Sequence, residues 1–597
     1  MKLIPACTAL LLSAGLFSAP TLADKIRGTG ELSGKVTAPA AFTAAKVFAH
    51  LKDKNVTYIV FTEGGKYSAV NMIPGTYEVW VDERGFSSEK KTVTVAAEKK
   101  AQADIALQTV AVGPNYIGTR IIDRKIEAFD KIYPPGPGRD IMDRTCFVCH
   151  GYNFISAQGQ NRQAWDAVIN YMMDVPRYKV PTNSAFLAPD RLNAADREVV
   201  LDYLAANFGE GAQERMVEGR PDGPRDEAVL GKAQIIEYTL PNTADYRRVT
   251  QETSFDSKGN VWVTNVNPTR GALTRIDPRT GEFKDFETPA KDYQPHGVAV
   301  DGDDTVWFAS LNYGLAHLDP ETGKFDVYGK TSVKRSGALT PFLDSKGNAY
   351  WTDGFTNEVG RWDRKTEKWK RWETPSKVGT PYGMVIDQKD RVWYAEFHGC
   401  AIVQLDAAND KLIKHESPSA PCLLRRPGVD SKGNIWYGIY NRGRIEKLDP
   451  ETGKITVFQV PEPYADPYDV WVDPDDNVWS SSDNYLIKLD PKTSTFSYYP
   501  TPTRTDAPKI TITREGAVWY PPRGGAYNKG TVAGANVLYP DKSKMKTLGA
   551  YFSPNDANAF SHRYKGPFTK VAGNAPKGEA KPKSQDPRND DLGAAAE

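Results

Sequence analysis

Cys146, Cys149 and His150 are the residues whose types and spacing point most specifically to chemistry. Arg144-Thr145-Cys146-Phe147-Val148-Cys149-His150-Gly151 contains Cys-x-x-Cys-His. That spacing sets two thiols for thioether bonds to porphyrin vinyl groups and turns the adjoining imidazole toward the iron. The motif predicts one covalent haem c, with His150 as proximal iron ligand. Zinc needs about four ligands, and no other Cys or His lies between Val110 and Ala233. A redox dithiol needs a βαβ setting, whereas the flanking pattern is helical. Met172, with Met173 as alternate, is the expected sixth ligand, because a thioether raises the potential for electron transfer. An open iron position and a purely packing methionine are the competing readings.

A second set of candidates lies between Ala233 and Tyr551. His296, Glu396 and His398 are suited to acid/base work, with Tyr382 and Arg426 as binding groups. Ordinary polar rim residues would give the same pattern. Cys400 and Cys422 are the pair left after the haem motif and the leader. They are expected to form a disulfide, two separate buried thiols being the alternative.

The elements that must position these groups follow from a repeat. Phe255-Asp256…Gly259-Asn260-Val261-Trp262 returns at Asp301…Trp307, Asp344…Tyr350, Asp387…Trp393, Asp430…Trp436 and Asp473…Trp479, and more weakly at Arg514…Trp519. Copies about 43 residues apart suit four strands each. A second marker, such as Leu318-Asp319-Pro320 or Leu448-Asp449-Pro450, precedes a turn in each copy. The fold class expected is multidomain and mainly β: a seven-bladed β-propeller preceded by a small β-sandwich and an α-helical cytochrome c domain. Gln234 to Leu240 is expected to complete the last blade. In the helical part, Asp196 to Asn207 is a helix capped by Asn193, with Val199, Val200, Tyr203 and Leu204 as its apolar stripe; Arg162 to Met173 is another.

Lys2 followed by an apolar run to Phe17 and Thr21-Leu22-Ala23 reads as a cleaved signal peptide. No later stretch is apolar for long enough to span a bilayer, so a periplasmic protein without a transmembrane anchor is expected. Net charge is +1, which gives no reason to expect nucleic acid as partner. The expected divisions are 1–23 signal peptide, 24–110 β-sandwich, 111–230 haem domain, 231–555 propeller and 556–597 disordered tail.

Three resemblances add to this. Gly65-Lys66-Tyr67 followed by Pro74-Gly75-Thr76-Tyr77 resembles the carboxypeptidase regulatory-like β-sandwich family, whose modules act as spacers or binding platforms. The haem motif with Trp165 to Met172 and Val199 to Phe208 resembles compact c-type cytochrome modules of quinohaemoprotein dehydrogenases. The Asp…Gly-Asn…Trp repeats resemble the streptogramin (virginiamycin B) lyase family, which opens a cyclic depsipeptide by elimination using a metal and Pro-His motifs. Pro295-His296 matches that motif. Gln294 stands where the family has Glu, and later copies carry Phe342, Tyr382, Gly428, Tyr468 and Lys509 at the place of the His. A divalent metal in the propeller therefore has little support. Together these readings imply single-electron transfer by the haem, with the propeller binding a small-molecule substrate or a periplasmic redox protein. A carbon–oxygen lyase with an accessory haem, and a non-enzymatic binding protein, are the alternatives.

Overall fold

The computed structural model describes residues 25–554 apart from 112–115, 118–119, 122–124, 148–154, 157, 174–191, 218–223, 244–247, 329–337, 503–506, 523–532 and a scatter of shorter stretches. The leader 1–23, the tail 556–597, Cys149, His150 and the side chain of Met172 lie outside the described residues.

The protein is mainly β, with propeller-like sheets. Six four-stranded antiparallel sheets follow in chain order, the first running from Thr250–Phe255 to Glu282–Glu287 and the sixth from Val470–Val472 to Thr495–Pro500. The repeated Asp explains the repeat. Asp256 Oδ1 accepts the backbone N–H groups of Lys258 (3.0 Å) and Asn260 (2.9 Å) and so closes the hairpin. Its Oδ2 accepts from the Asn260 amide (2.9 Å) and from the indole of buried Trp262 (3.2 Å). One carboxylate thus builds the turn and satisfies a donor that burial of the Trp would otherwise orphan. The Asp-to-indole bond recurs at Trp307, Trp393, Trp436 and Trp479. Gly259 supplies the positive φ (78°) of the same turn. In the weakest copy Thr513 replaces the Asp, and there the buried Trp519 Nε1 has no hydrogen-bond partner.

The first strands of successive sheets contact one another in order and form a ring. It closes through a seventh set of strands, Thr511–Ile512, Val518–Tyr520, Ala533–Tyr539 and Gln234–Leu240. Gln234–Leu240 comes from the N-terminal side and pairs with the C-terminal strand from Gln234↔Tyr539 to Leu240↔Ala533. Thr511 Oγ1 meets Thr253 Oγ1 of the first sheet at 3.1 Å.

The expected boundary between β-sandwich and propeller is not a break in the sheet. Val56–Phe61 pairs with the free edge of Gln234–Leu240, from Gln234↔Val60 to Tyr238↔Val56, which gives one ten-stranded sheet. Val47, Tyr58 and Tyr77 share a core with Ile236, Trp519 and Val537. An edge left bare would be a template for association; here it is covered from within the chain. Leu230, expected to end the haem domain, packs instead with Trp479 and Leu538.

Between 111 and 230 the described helices include Pro137–Arg144, Arg162–Met173 and Ala194–Asn207. They pack around Tyr133, Met142, Phe147, Trp165 and Leu204. Asn193 Oδ1 caps the last helix on Asp196 N–H (2.9 Å). Its buried stripe is Val200, Leu201 and Leu204, and Val199 faces solvent. The predicted stripe was therefore rotated by about one position.

Candidate functional site

The hairpin Asp locates the axis. Four positions before Asp256, Asp301, Asp344, Asp387, Asp430, Asp473 and Thr513 stand Glu252, Gly297, Thr340, Gly383, Arg426, Asp469 and Lys509. Each lies on or just before an innermost strand at an equivalent level. One position earlier stand Gln251, His296, Leu339, Tyr382, Arg425, Tyr468 and Pro508. Two stacked layers therefore face the axis, the lower charged and the upper largely aromatic and amide.

In the lower layer Glu252 is fully buried. Its Oε1 lies 2.7 Å from Arg426 Nη2 in an ion pair and accepts from Thr340 Oγ1 at 2.8 Å, and its Oε2 accepts from Lys509 Nζ at 3.2 Å. Arg426 Nη1 also donates to Thr340 Oγ1 at 2.6 Å. Burial alone would raise the Glu252 carboxyl, but Arg426, Lys509 and His296 outweigh it and hold the group below its ordinary range. Asp469 behaves oppositely. Burial pushes its carboxyl up to about 7 although Arg426 and Lys509 pull downward; its Oδ2 accepts Ile510 N–H at 2.7 Å. Gly383 is the neighbour that admits Arg426, since a Cβ there would lie 2.5 Å from Arg426 Cγ.

In the upper layer His296 is 8% exposed. Its Nδ1 lies 3.2 Å from the Leu339 carbonyl oxygen and 3.5 Å from Glu252 Oε1, and its Nε2 lies 3.1 Å from Gln251 Nε2. Across the axis Tyr382 and Tyr468 join hydroxyls at 2.6 Å. Arg425 stacks on the Tyr468 and Tyr440 rings, 3.9 and 4.0 Å from their centroids.

The other two acid/base candidates sit at the rim, in the fourth sheet. Glu396 Oε1 accepts from Thr374 Oγ1 (2.6 Å) and Ser376 N–H (2.9 Å), and Oε2 accepts from Ser376 Oγ. His398 Nδ1 meets Thr380 Oγ1 at 2.8 Å. These partners differ throughout from those of His296, so the structure pairs His296 with Glu252 rather than with Glu396 or His398. Next to them Cys400 and Cys422 form a disulfide with Cα atoms 5.2 Å apart. Sequence reading found His296 and Arg426, placed Asp469 on the same face without choosing it as a candidate, and missed Glu252. It also placed Phe342, Gly428 and Lys509 level with the His; the equivalent positions are Leu339, Arg425 and Pro508.

Residues 228–489 match the model of the virginiamycin B lyase family. This stretch is similar to the domain of that family. No curated protein matches the chain. Among solved structures, virginiamycin B lyase from Staphylococcus aureus aligns at 17% identity over 51% of this chain and 98% of its own, with a TM-score of 0.45. A streptogramin B lyase aligns at 18% identity over 51% and 97%, TM-score 0.45. The extracellular domain of a putative one-component system from B. thetaiotaomicron aligns at 13% identity over 50% and 39%, TM-score 0.41. Among the described residues, no group of three or more His, Cys, Asp or Glu is placed to hold a metal ion. Glu252, the carboxylate nearest His296, is already bound by two cations, so the donors present do not fit a divalent metal.

In the helical region Cys146 is half-buried just beyond Pro137–Arg144, against the apolar cluster of Tyr133, Met142, Phe147 and Trp165. Thr145 Oγ1 lies 3.5 Å from its Sγ. Met173 packs against the same cluster. No described helix is long and apolar enough to cross a membrane.

Proposed function

We propose that the seven sets of strands form a seven-bladed β-propeller that takes a ligand over its axis, and that His296 acts there as the base of a carbon–oxygen elimination. The observation that carries this is the Glu252–His296 pair: an imidazole at the edge of a buried layer, backed by a carboxylate that two cations keep ionised. The family match of 228–489 supports the same direction. In such a step His296 Nε2 takes a proton from carbon, the neighbouring C–O bond breaks, a C=C bond forms, and the oxygen leaves as a carboxylate. The product keeps the mass of the substrate. Glu396 and His398 shape the rim around the entrance.

The test uses the full chain and a type B streptogramin, followed by mass spectrometry and chromatography. A ring-opened product of unchanged mass, lost about 10²- to 10⁴-fold in His296→Ala, is expected. Binding without turnover would leave a recognition propeller, and neither binding nor turnover would overturn the reading.

We propose separately that Cys146, Cys149 and His150 carry one haem c in a periplasmic protein, with Met172 as sixth ligand. What favours it is the placement of Cys146 against an apolar, aromatic cluster that suits a porphyrin edge. Haem would supply single-electron transfer, to or from a periplasmic redox protein. A Soret band that survives acid acetone, and that disappears in Cys146→Ser, is expected; a colourless mature protein would rule it out.

A further inference from the structure

The hydrogen bonds around His296 fix more than its position. The Leu339 carbonyl oxygen can only accept, and so can an ionised Glu252. Both face Nδ1, at 3.2 and 3.5 Å. A proton must therefore sit on Nδ1, and in the neutral ring the lone pair is on Nε2. What faces Nε2 is Gln251, whose amide nitrogen lies 3.1 Å away and can only donate. The two sides of the ring agree on one tautomer. Gln251 occupies, in the first sheet, the level that His296 holds in the second, so the amide reaches the ring from the adjacent strand without distorting either.

We propose that Glu252 is a positioning residue that locks His296 as the Nδ1–H tautomer, and that Gln251 is a latch whose amide covers the Nε2 lone pair until a ligand donor replaces it. This deepens the reading of His296 as a base and rests on that reading for its purpose. Glu252 can hold the role because its own state is held from the far side: Thr340 and Lys509 donate to it, and Arg426 pairs with it as a cation. The latch makes a demand on the ligand. It must bring an acidic C–H, or an N–H or O–H donor, to the point where the Gln251 amide now sits. A ligand offering only acceptors there would meet two lone pairs facing each other.

The experiment reads the ring and not turnover. The full chain is labelled with ¹⁵N-histidine, and His296 is assigned by the signal lost in His296→Gln. At a pH where the ring is neutral, the ¹⁵N shifts report which nitrogen carries the proton. The Nδ1–H form is expected in the wild type, and a mixture of tautomers in Glu252→Gln, with partial return in Glu252→Asp. An Nε2–H form in the wild type would overturn the proposal whether or not the variants fold. The latch is read by diethyl pyrocarbonate, which transfers an ethoxycarbonyl group to an unprotonated imidazole nitrogen and releases ethanol and carbon dioxide. Mass spectrometry should show His296 modified several-fold faster in Gln251→Ala, and an unchanged rate would refute the latch. Because neither readout needs a substrate, a chain with the expected tautomer and no lyase product would retain this inference and lose the lyase reading.

Discussion

Glu252 on the axis and Glu396 at the rim of the propeller face are both completely buried, and they are employed in opposite ways. Glu252 on the axis is surrounded by charge: Arg426, Lys509 and the imidazole of His296. Glu396 at the rim is surrounded by hydroxyls and a backbone N–H from the 374–376 connection. The rim carboxylate ties a loop to the end of a strand, and its partners can rearrange. The axial carboxylate joins residues from four other sets of strands, and two of its partners, Arg426 and Lys509, are cations with no acceptor to offer in return. Burial alone therefore does not mark a functional acid; the chemistry of its neighbours does.

The same substitution at the two positions is the strongest test of that contrast. Glu252→Gln leaves Arg426 and Lys509 buried against a neutral amide, and breaking a buried ion pair in this way costs about 3–5 kcal/mol. The thermal transition of the propeller should fall clearly. If Glu252→Gln unfolds no more easily than Glu396→Gln, the distinction between axis and rim fails.

The next effect concerns pH. Asp469 in the folded chain keeps its proton up to about 7 because burial disfavours the anion, whereas an unfolded Asp loses it near about 3.9. Between those values the native state binds more protons, so stability falls as pH rises. Its contribution is complete below the unfolded value and lost through about 7. Glu252, held low, has the opposite sign: its contribution is present above the unfolded carboxyl value and lost as pH falls through the lower folded one. Melting temperatures measured from about pH 4 to about pH 8 should decline with pH in the wild type and flatten in Asp469→Asn. An identical slope in the two proteins would contradict the axial assignment.

Glu396→Gln should cost less, about 1–2 kcal/mol, because Ser376 and Thr374 hydroxyls can turn and accept from the new amide. Urea unfolding measures it, and the variant should keep any reactivity of His296 toward diethyl pyrocarbonate.

The repeat explains how far the sequence could be read. The Asp-to-Trp hairpin is local, so its spacing exposed the sheets, their count of strands and the closing role of Gln234–Leu240. The motif also located His296, and cysteine parity the Cys400–Cys422 bond. The axial partners were harder because they meet only when the ring closes: Glu252 and Lys509 are 257 positions apart in the chain. Proximity in sequence instead drew attention to Glu396 beside His398. The signal was present nonetheless, since counting four back from each hairpin Asp collects the whole charged layer. The union of the N-terminal sandwich with the last blade had no such signal. Val56–Phe61 and Gln234–Leu240 are each ordinary alternating strands, and nothing in either says that its free edge meets the other.

The smallest predicted effect lies where axis and rim touch. Tyr382 belongs to the upper axial layer, and its ring packs on rim residue Phe397 with centroids 5.4 Å apart. Its hydroxyl crosses to Tyr468 at 2.6 Å, and its ring also lies 5.0 Å from the Arg426 guanidinium carbon. Tyr382→Phe keeps the ring, the packing and the contact with Arg426 and removes only the hydroxyl bridge, so about 1 kcal/mol is expected. The His296 tautomer should not change, because Leu339, Glu252 and Gln251 are left in place. If the loss is instead as large as for Glu252→Gln, the aromatic layer and the charged layer act as one unit, and the axis must be treated as a single cooperative network. Additivity of Tyr382→Phe with Glu252→Gln separates these cases: independent layers give summed losses, whereas a shared network gives less than the sum.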